Sequence, residues 1–110
     1  MPTPKLQTTE ADLREQIRDL AQLYGWEMHF AWLSWRSPKG YPDVFLAHPV
    51  QKRVIWAELK GKNGKLTPEQ VRWLQVLRDC GQEAYTWWPD DIPEIARLLQ
   101  PRDSKQNDRR

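Results

Sequence analysis

Two residues in the middle of the chain have the types and the spacing of a hydrolytic metal site. Glu58 and Lys60 stand two residues apart in the apolar run of residues 54–60. Because side chains alternate between the two faces of a strand, Glu58 and Lys60 share one face with Val54 and Trp56. Removing a carboxylate and an ammonium group from water is costly unless something compensates. Taken alone, the two residues favour a simpler interpretation, a surface ion pair at a strand end.

Asp43 shifts the interpretation toward a metal site. It follows Gly40-Tyr41-Pro42 and leads into an apolar strand. A hairpin between this strand and the strand of Glu58 brings the beginning of one beside the end of the other. Two neighbouring carboxylates repel each other, which a divalent cation relieves, and oxygen ligands with room for water suit Mg²⁺ or Mn²⁺. The cation would stabilise charge on a phosphate and activate water, with Lys60 positioning that nucleophile. Turn formation by Pro-Asp remains the alternative for Asp43.

Two helical residues are expected to face the same sheet. At about 100° per residue, Glu10 projects into the apolar stripe of the first helix, and Gln70 falls on the arc of Trp73 and Leu74 in the second. An acid and an amide on packed faces are unexpected. The alternatives are first-turn dipole chemistry for Glu10 and a core amide bonded to backbone for Gln70.

Hydrophobic patterning, caps and turn residues predict one α/β domain in the order αβββαβα, spanning residues 8–100. Residues 1–7 are expected to be a flexible lead, and residues 101–110 a disordered basic tail. The expected elements are a helix from about Glu10 capped by Thr8 or Thr9 and ended by Gly25, strands at 26–32, 43–47 and 53–60, a helix from Pro68 to about Cys80 capped by Thr67, a strand at 84–88 and a helix at 93–99.

The charge of the chain is concentrated in its middle. Residues 35–65 hold seven basic side chains and two acidic ones, a net charge of +5, and the two acids are Asp43 and Glu58. A basic segment suits a polyanion such as DNA, although a solvated hairpin with surface lysines would look the same. The residues expected to contact DNA are Arg36, Lys39, Tyr41, Lys62 and Lys65. Trp32, Trp35 and Tyr41 could stack on bases or pack against a second subunit, although a core role is favoured for each.

Length and composition exclude several classes. A chain of 110 residues forms one ordinary domain, and its apolar runs are too short for a membrane span. The single cysteine, Cys80, excludes an internal disulfide and a cysteine-based zinc site, so a reducing, cytoplasmic location is expected.

The segment from Gly-Tyr-Pro-Asp at 40–43, through Glu-Leu-Lys at 58–60, to Leu-Thr-Pro-Glu-Gln at 66–70 and Gly81 resembles the VRR-NUC domain, the virus-type replication-repair branch of the PD-(D/E)XK nucleases. The resemblance implies a restriction-endonuclease-like fold with a mixed central sheet flanked by helices. It implies Asp43, Glu58 and the Leu59 carbonyl as metal ligands, Lys60 as the catalytic lysine, Gln70 as a supporting residue, and Glu10 as the acid on the first helix and a possible ligand.

Small members of this family imply a bacterial or phage-encoded homodimer that cleaves branched DNA in the manner of a Holliday-junction resolvase. The size of the chain favours a dimer as well, since one small domain has little surface for two DNA arms. A different class of function, a nuclease fold retained as a non-catalytic DNA-binding or assembly module, is the alternative. Binding that survives chelation without any cleavage would favour that alternative.

Overall fold

The computed structural model describes residues 9–31 and 38–101. The elements follow the expected order, with one short 3₁₀ turn added at Pro89–Asp91. The elements are α1 (Glu10–Tyr24), β1 (Glu27–Phe30), β2 (Val44–His48), β3 (Arg53–Leu59), α2 (Pro68–Asp79), β4 (Glu83–Trp87) and α3 (Ile92–Leu99). The predictions for the lead, Trp32, Trp35, Arg36 and most of the tail fall outside the described residues.

Threonine caps start the two longer helices as the sequence predicts. Thr9, rather than Thr8, caps α1: its Oγ1 accepts from the backbone N–H of Asp12 at 3.0 Å, and the Asp12 carboxylate accepts from the Thr9 N–H at 3.2 Å. Thr67 and Gln70 form the same reciprocal pair at the start of α2, at 3.1 and 2.9 Å. Each pair satisfies two backbone donors that have no partner within the helix.

The four strands form one mixed sheet in the order β1-β2-β3-β4. The first three strands are antiparallel, and β4 runs parallel to β3 because the chain returns through α2. β2 begins at Val44, one residue later than predicted, and β4 begins one residue earlier. Val44 pairs with Ala57, so the next position of the register sets Asp43 beside Glu58. The hairpin therefore brings the two acids together as the sequence predicts.

One face of the sheet carries the main core. Leu13, Ile17 and Ala21 of α1 and Ile95 and Leu99 of α3 are buried there against the inward residues of the strands. Polar groups fix the end of α3 on this face: the Trp26 indole N–H donates to the Leu99 carbonyl at 2.7 Å, and Arg53 Nη1 donates to the Leu98 carbonyl at 3.1 Å. These contacts satisfy carbonyls that a helix end leaves free.

In the described part of the chain, the opposite face of the sheet carries α2 and, beside it, a cavity. α2 packs against β4 and buries Leu74. Beyond α2, on the β1 and β2 side, this face opens into a cavity that begins at Asp43. Among the described elements, no helix is long and apolar enough to span a bilayer.

Candidate active site

Asp43 and Glu58 face each other at the edge where β2 begins and β3 ends. Asp43 Oδ2 accepts from the backbone N–H of Leu59 at 3.1 Å, which ties the carboxylate to the neighbouring strand. Glu58 is 3% exposed. Its Oε2 accepts from Gln70 Nε2 at 2.7 Å and lies 3.9 Å from Lys60 Nζ. Its Oε1 is buried and has no hydrogen-bond partner, so this oxygen can take a proton or a cation.

The pKa of Glu58 reflects its burial and the nearby carboxylate of Asp43. Burial, the charge of Asp43 and a hydrogen bond to Asp43 raise the pKa of Glu58 from 4.5 to about 8, and the charge of Lys60 opposes the rise. A hydrogen bond between two carboxyl groups requires a proton on one of them. Without a cation, burial and the neighbouring Asp43 therefore favour the protonated form of Glu58.

The donor set fits a hard divalent cation that keeps part of its water shell. Two carboxylates meet at a buried edge, and one oxygen is without a partner. Within residues 9–31 and 38–101, no three His, Cys, Asp or Glu side chains form a group that could hold a metal by themselves. Mg²⁺ is commonly held by one or two carboxylates with water completing its octahedron, so Asp43 and Glu58 match that requirement.

Glu10 lies in the first turn of α1, where it is exposed rather than packed within the apolar stripe as predicted. The capping role in that turn belongs to Asp12, which leaves the Glu10 carboxylate available to the site. Its pKa is raised by burial and by the charge of Asp43, while Lys60 and Arg14 act in the opposite direction. The helix start reaches the site because Gly61 lies against the Glu10 backbone. Glu10 is therefore electrostatically coupled to the site but more exposed than Glu58.

Gln70 links the cap of α2 to the acidic pair. Its Oε1 accepts from the Thr67 N–H, and its Nε2 donates to Glu58. The two contacts use opposite ends of one amide and so fix its orientation. Both sequence interpretations of Gln70, a backbone-bonded amide and a group facing the acids, are realised by the same side chain.

The loop after β3 supports Lys60. The Lys60 backbone N–H donates to the Trp87 carbonyl at 3.0 Å. A Cβ added to Gly64 would lie 3.2 Å from the Lys60 side chain, so the turn at 61–64 packs against the aliphatic stem of the lysine. The Trp88 indole N–H in turn donates to the Gly64 carbonyl at 2.9 Å. The chain thus holds the lysine by its backbone and by its stem.

Comparison with known proteins agrees with this geometry. The model of the VRR-NUC domain matches residues 5–87. The chain belongs to the VRR-NUC domain family. It is also similar to the Fanconi-associated nuclease 1 homolog of Caenorhabditis elegans, with 40% identity over 48 residues. The match covers 44% of this chain and only 6% of that relative. No solved structure gives a significant match. Nuclease domains of the PD-(D/E)XK type generally use divalent metals.

In this VRR-NUC domain, close packing explains why the Gly-Tyr-Pro-Asp segment begins with glycine. Gly40 has a φ of +85°, and a Cβ there would lie 2.5–2.6 Å from the backbone and Cβ of Glu69. Only glycine allows the loop before β2 to approach the first turn of α2 this closely. The contact joins the element that carries Asp43 to the element that carries Gln70, and sequence reasoning did not identify it.

The residues predicted to contact DNA differ in how exposed they are. Lys39, Lys62 and Lys65 are exposed. Lys39 lies 3.8 Å from the Glu69 carboxylate. Tyr41 packs edge-on against Trp56 and Trp73 at centroid distances of 5.7 and 5.1 Å. Arg36 lies outside the described residues.

Sequence reasoning missed the cavity next to the acidic pair. Its volume is about 310 Å³, and it is lined by His29, Ala31, Tyr41, Pro42, Asp43, Phe45 and Trp56. Strand alternation carries a signal for it, because Phe45 and Trp56 lie two residues from Asp43 and Glu58 on the same face. Sequence reasoning singled out neither Phe45 nor Trp56 as a binding residue.

Proposed function

We propose that this VRR-NUC domain is a Mg²⁺- or Mn²⁺-dependent DNA endonuclease that prefers branched DNA such as four-way junctions. One observation carries the proposal. Glu58 is 3% exposed, has an unpaired Oε1, and lies beside Asp43 and 3.9 Å from Lys60 Nζ. A purely structural role gives no reason to bury a carboxylate with one free oxygen next to a second carboxylate.

The cation would be held by Asp43, Glu58 and the Leu59 carbonyl. In an extended strand the N–H and C=O of one residue point to the same side. Since the Leu59 N–H donates to Asp43, its carbonyl is expected on the Asp43 side as well. A divalent cation bound there supplies positive charge for the phosphate oxygens and makes a nearby water more acidic.

The remaining side chains position and charge-balance the reacting groups. Lys60 places an ammonium group beside Glu58, where it can orient water and stabilise charge that develops on the phosphate. Gln70 holds the Glu58 carboxylate in one orientation through its 2.7 Å hydrogen bond. Glu10 is a further acid within electrostatic range, which suits contact through water more than direct ligation.

The preference for branched DNA and the homodimer are supported by charge and size. The exposed lysines Lys39, Lys62 and Lys65 supply cations for DNA phosphates, and Arg36 is a further candidate from the sequence alone. Two copies related by a two-fold axis would present two sites to symmetric strands. The proposed setting is the cytoplasm of a bacterium, or of a host in the case of a phage-encoded protein. The similar Fanconi-associated nuclease 1 homolog is, by contrast, a eukaryotic protein.

The test is cleavage of end-labelled four-way junction, flap and linear duplex DNA with Mg²⁺ or Mn²⁺. We expect the junction to be cut, and Asp43→Ala and Lys60→Ala each to abolish cutting. Glu94→Ala is the matched control, because Glu94 is an exposed carboxylate ion-paired with Arg97 on α3. Robust cutting by both site variants would remove these residues from the mechanism.

Light scattering on the same samples tests the homodimer, and a monomer that still resolves the junction would contradict it. Binding that persists in chelator, with no cutting in any divalent metal, would instead support the non-catalytic module.

A further inference from the structure

The strand register builds two rows of side chains across the sheet face that carries the acids. His29 pairs with Phe45, and Phe45 pairs with Trp56, so three rings lie in line across β1, β2 and β3. The acidic row of Asp43 and Glu58 lies two residues further along β2 and β3. Two residues of a strand span roughly 6.6–6.8 Å. The aromatic row is therefore one side-chain layer away from the acids.

The aromatic row forms the floor of the cavity of about 310 Å³ that Asp43 also lines. Phe45 and Trp56 pack at a centroid distance of 4.6 Å, and Tyr41 meets Trp56 edge-on. His29 is exposed, and Phe45 and Tyr41 are partly exposed. Phe45 and Tyr41 are therefore held in place by Trp56, and together with His29 they still reach solvent.

We propose that this cavity, lined by His29, Tyr41, Phe45 and Trp56, binds the unpaired base of a nucleotide next to the phosphate held at Asp43 and Glu58. The proposal rests on the proposed function for the position of the phosphate. It assigns the cavity to one occupant, a nucleobase of single-stranded DNA that is turned away from its neighbours.

Continuity with the acidic pair favours a base over other occupants. Asp43 belongs to both the cavity wall and the acidic pair, so a ligand in the cavity would lie next to a group held by the acids. In DNA, the group attached next to a phosphate is a sugar carrying a flat aromatic base. Aromatic side chains beside a cationic groove bind bases by stacking. The exposed Lys39, two residues before Tyr41, adds a cation for a flanking phosphate.

The contact is stacking rather than hydrogen-bond recognition by Trp56. The Trp56 indole N–H is buried and unpaired, so that polar edge of the ring faces away from the open cavity. Stacking tolerates all four bases because each has a π-face. The cavity therefore selects an unpaired nucleotide without selecting its sequence, and unpaired or easily unpaired nucleotides occur at branch points and flaps.

Binding of a fluorescent base tests this directly. A short single-stranded DNA with one 2-aminopurine is titrated with the protein in chelator, so that binding is read without cleavage. The wild-type protein is expected to quench the 2-aminopurine emission as the base stacks. Phe45→Leu keeps apolar volume but removes the ring, and it is expected to lose the quenching and to bind about 10-fold more weakly. Phe45→Tyr is expected to retain both.

Two further variants control for folding. His29→Ala changes an exposed cavity residue, and it is expected to weaken quenching several-fold without affecting the core. Tyr85→Leu removes a ring that stacks on Trp87 away from the cavity, and it is expected to behave as wild type. Quenching and affinity that are unchanged in both Phe45→Leu and His29→Ala would overturn the proposal.

The outcome separates this proposal from the proposed function. If the wild-type protein cleaves no DNA with any metal but Phe45→Leu still loses the quenching, the endonuclease fails and the base site stands. If the junction is cleaved but both cavity variants quench like the wild type, the endonuclease stands and the base site fails.

Discussion

The side-chain amide of Gln70 donates a 2.7 Å hydrogen bond to Glu58 Oε2 while its carbonyl oxygen accepts from the Thr67 backbone N–H. The residue that completes the cap of α2 is therefore also the residue that orients a buried carboxylate on β3. The start of a helix thus fixes the geometry of a site on the neighbouring sheet.

Replacing Gln70 by glutamate separates these two roles. Glutamate still completes the capping box, but it cannot donate to Glu58 and adds a negative charge beside it. We expect Gln70→Glu to keep most of the fold's stability and to lower cleavage about 10- to 100-fold, as measured by kcat/KM. Thr67→Ala is the complementary variant. It should lower the free energy of unfolding by about 1 kcal/mol and leave kcat/KM closer to wild type. Equal kcat/KM losses in the two variants would contradict separate roles.

The raised pKa of Glu58 predicts how stability without metal depends on pH. The folded state binds the proton more tightly than the unfolded chain, so the stabilisation is complete below the unfolded pKa of 4.5 and is lost as pH rises through about 8. Glu58→Gln removes this dependence. In chelator above pH 8, we expect this variant to exceed wild type by about 2 kcal/mol in its free energy of unfolding in urea, less than the full shift because solvent screens the charge.

Divalent metal should reverse the order of stability of the wild type and Glu58→Gln. With Mg²⁺ or Mn²⁺, the wild type should gain stability because the cation replaces the proton on Glu58, whereas Glu58→Gln should gain little. Glu94→Gln, on an exposed carboxylate, controls for general effects of pH and metal. If neither chelator nor metal changes the unfolding midpoint of the wild-type protein, the metal site is contradicted.

Gly40 and Gly81 form a matched pair of glycine positions. Both have positive φ, at +85° and +81°, but an added Cβ at Gly40 strikes the Glu69 backbone whereas nothing lies within 4 Å at Gly81. We expect Gly81→Ala to cost about 1 kcal/mol from backbone strain alone. Gly40→Ala should cost roughly 2–4 kcal/mol and reduce cleavage, because the loop before Asp43 must move off α2. Chemical denaturation and kcat/KM of both variants measure the difference. Equal losses of stability in Gly40→Ala and Gly81→Ala would show that the contact with Glu69 adds no cost.

The turn beneath Lys60 predicts an effect on the chemical step. Gly64→Ala places a methyl group 3.2 Å from the Lys60 stem, and Trp88→Phe removes the hydrogen bond to the Gly64 carbonyl. We expect each to lower kcat several-fold with little change in KM, since the lysine moves while DNA contacts remain. Lys62→Ala is the comparison: it removes an exposed cation on the same loop and should act mainly on KM and on the salt dependence of binding. A pure KM effect of Gly64→Ala would count against the positioning of Lys60 by this turn.

The sequence predicted those parts of the fold that depend on short-range chemistry. Helix starts at Thr9 and Thr67 follow from side chains that satisfy backbone donors three residues away. The proximity of Asp43 to Glu58 follows from a hairpin between neighbouring strands, which needs only alternation and a turn. Strand ends differ from the prediction by at most two residues, because where pairing stops depends on the neighbouring strand.

Other features required the packed molecule. Glu10 was expected within the apolar stripe, but it is exposed in the first turn of α1 and close enough to Asp43 and Lys60 for their charges to act on its pKa. The Gly40 contact with Glu69 joins residues far apart in the chain, so local sequence carries no sign of it.

The residue types and the alternation of β2 and β3 were therefore enough to place Asp43 beside Glu58, with Lys60 following. The tertiary structure decided what surrounds them: Gln70 on one side, and an open row of rings on the other. The physical reason is that α2 packs on β4, while the described part of the chain leaves a cavity on the β1–β2 side of the same face. Which part of a sheet a helix covers is set by long-range packing, and periodicity along one strand holds no information about it.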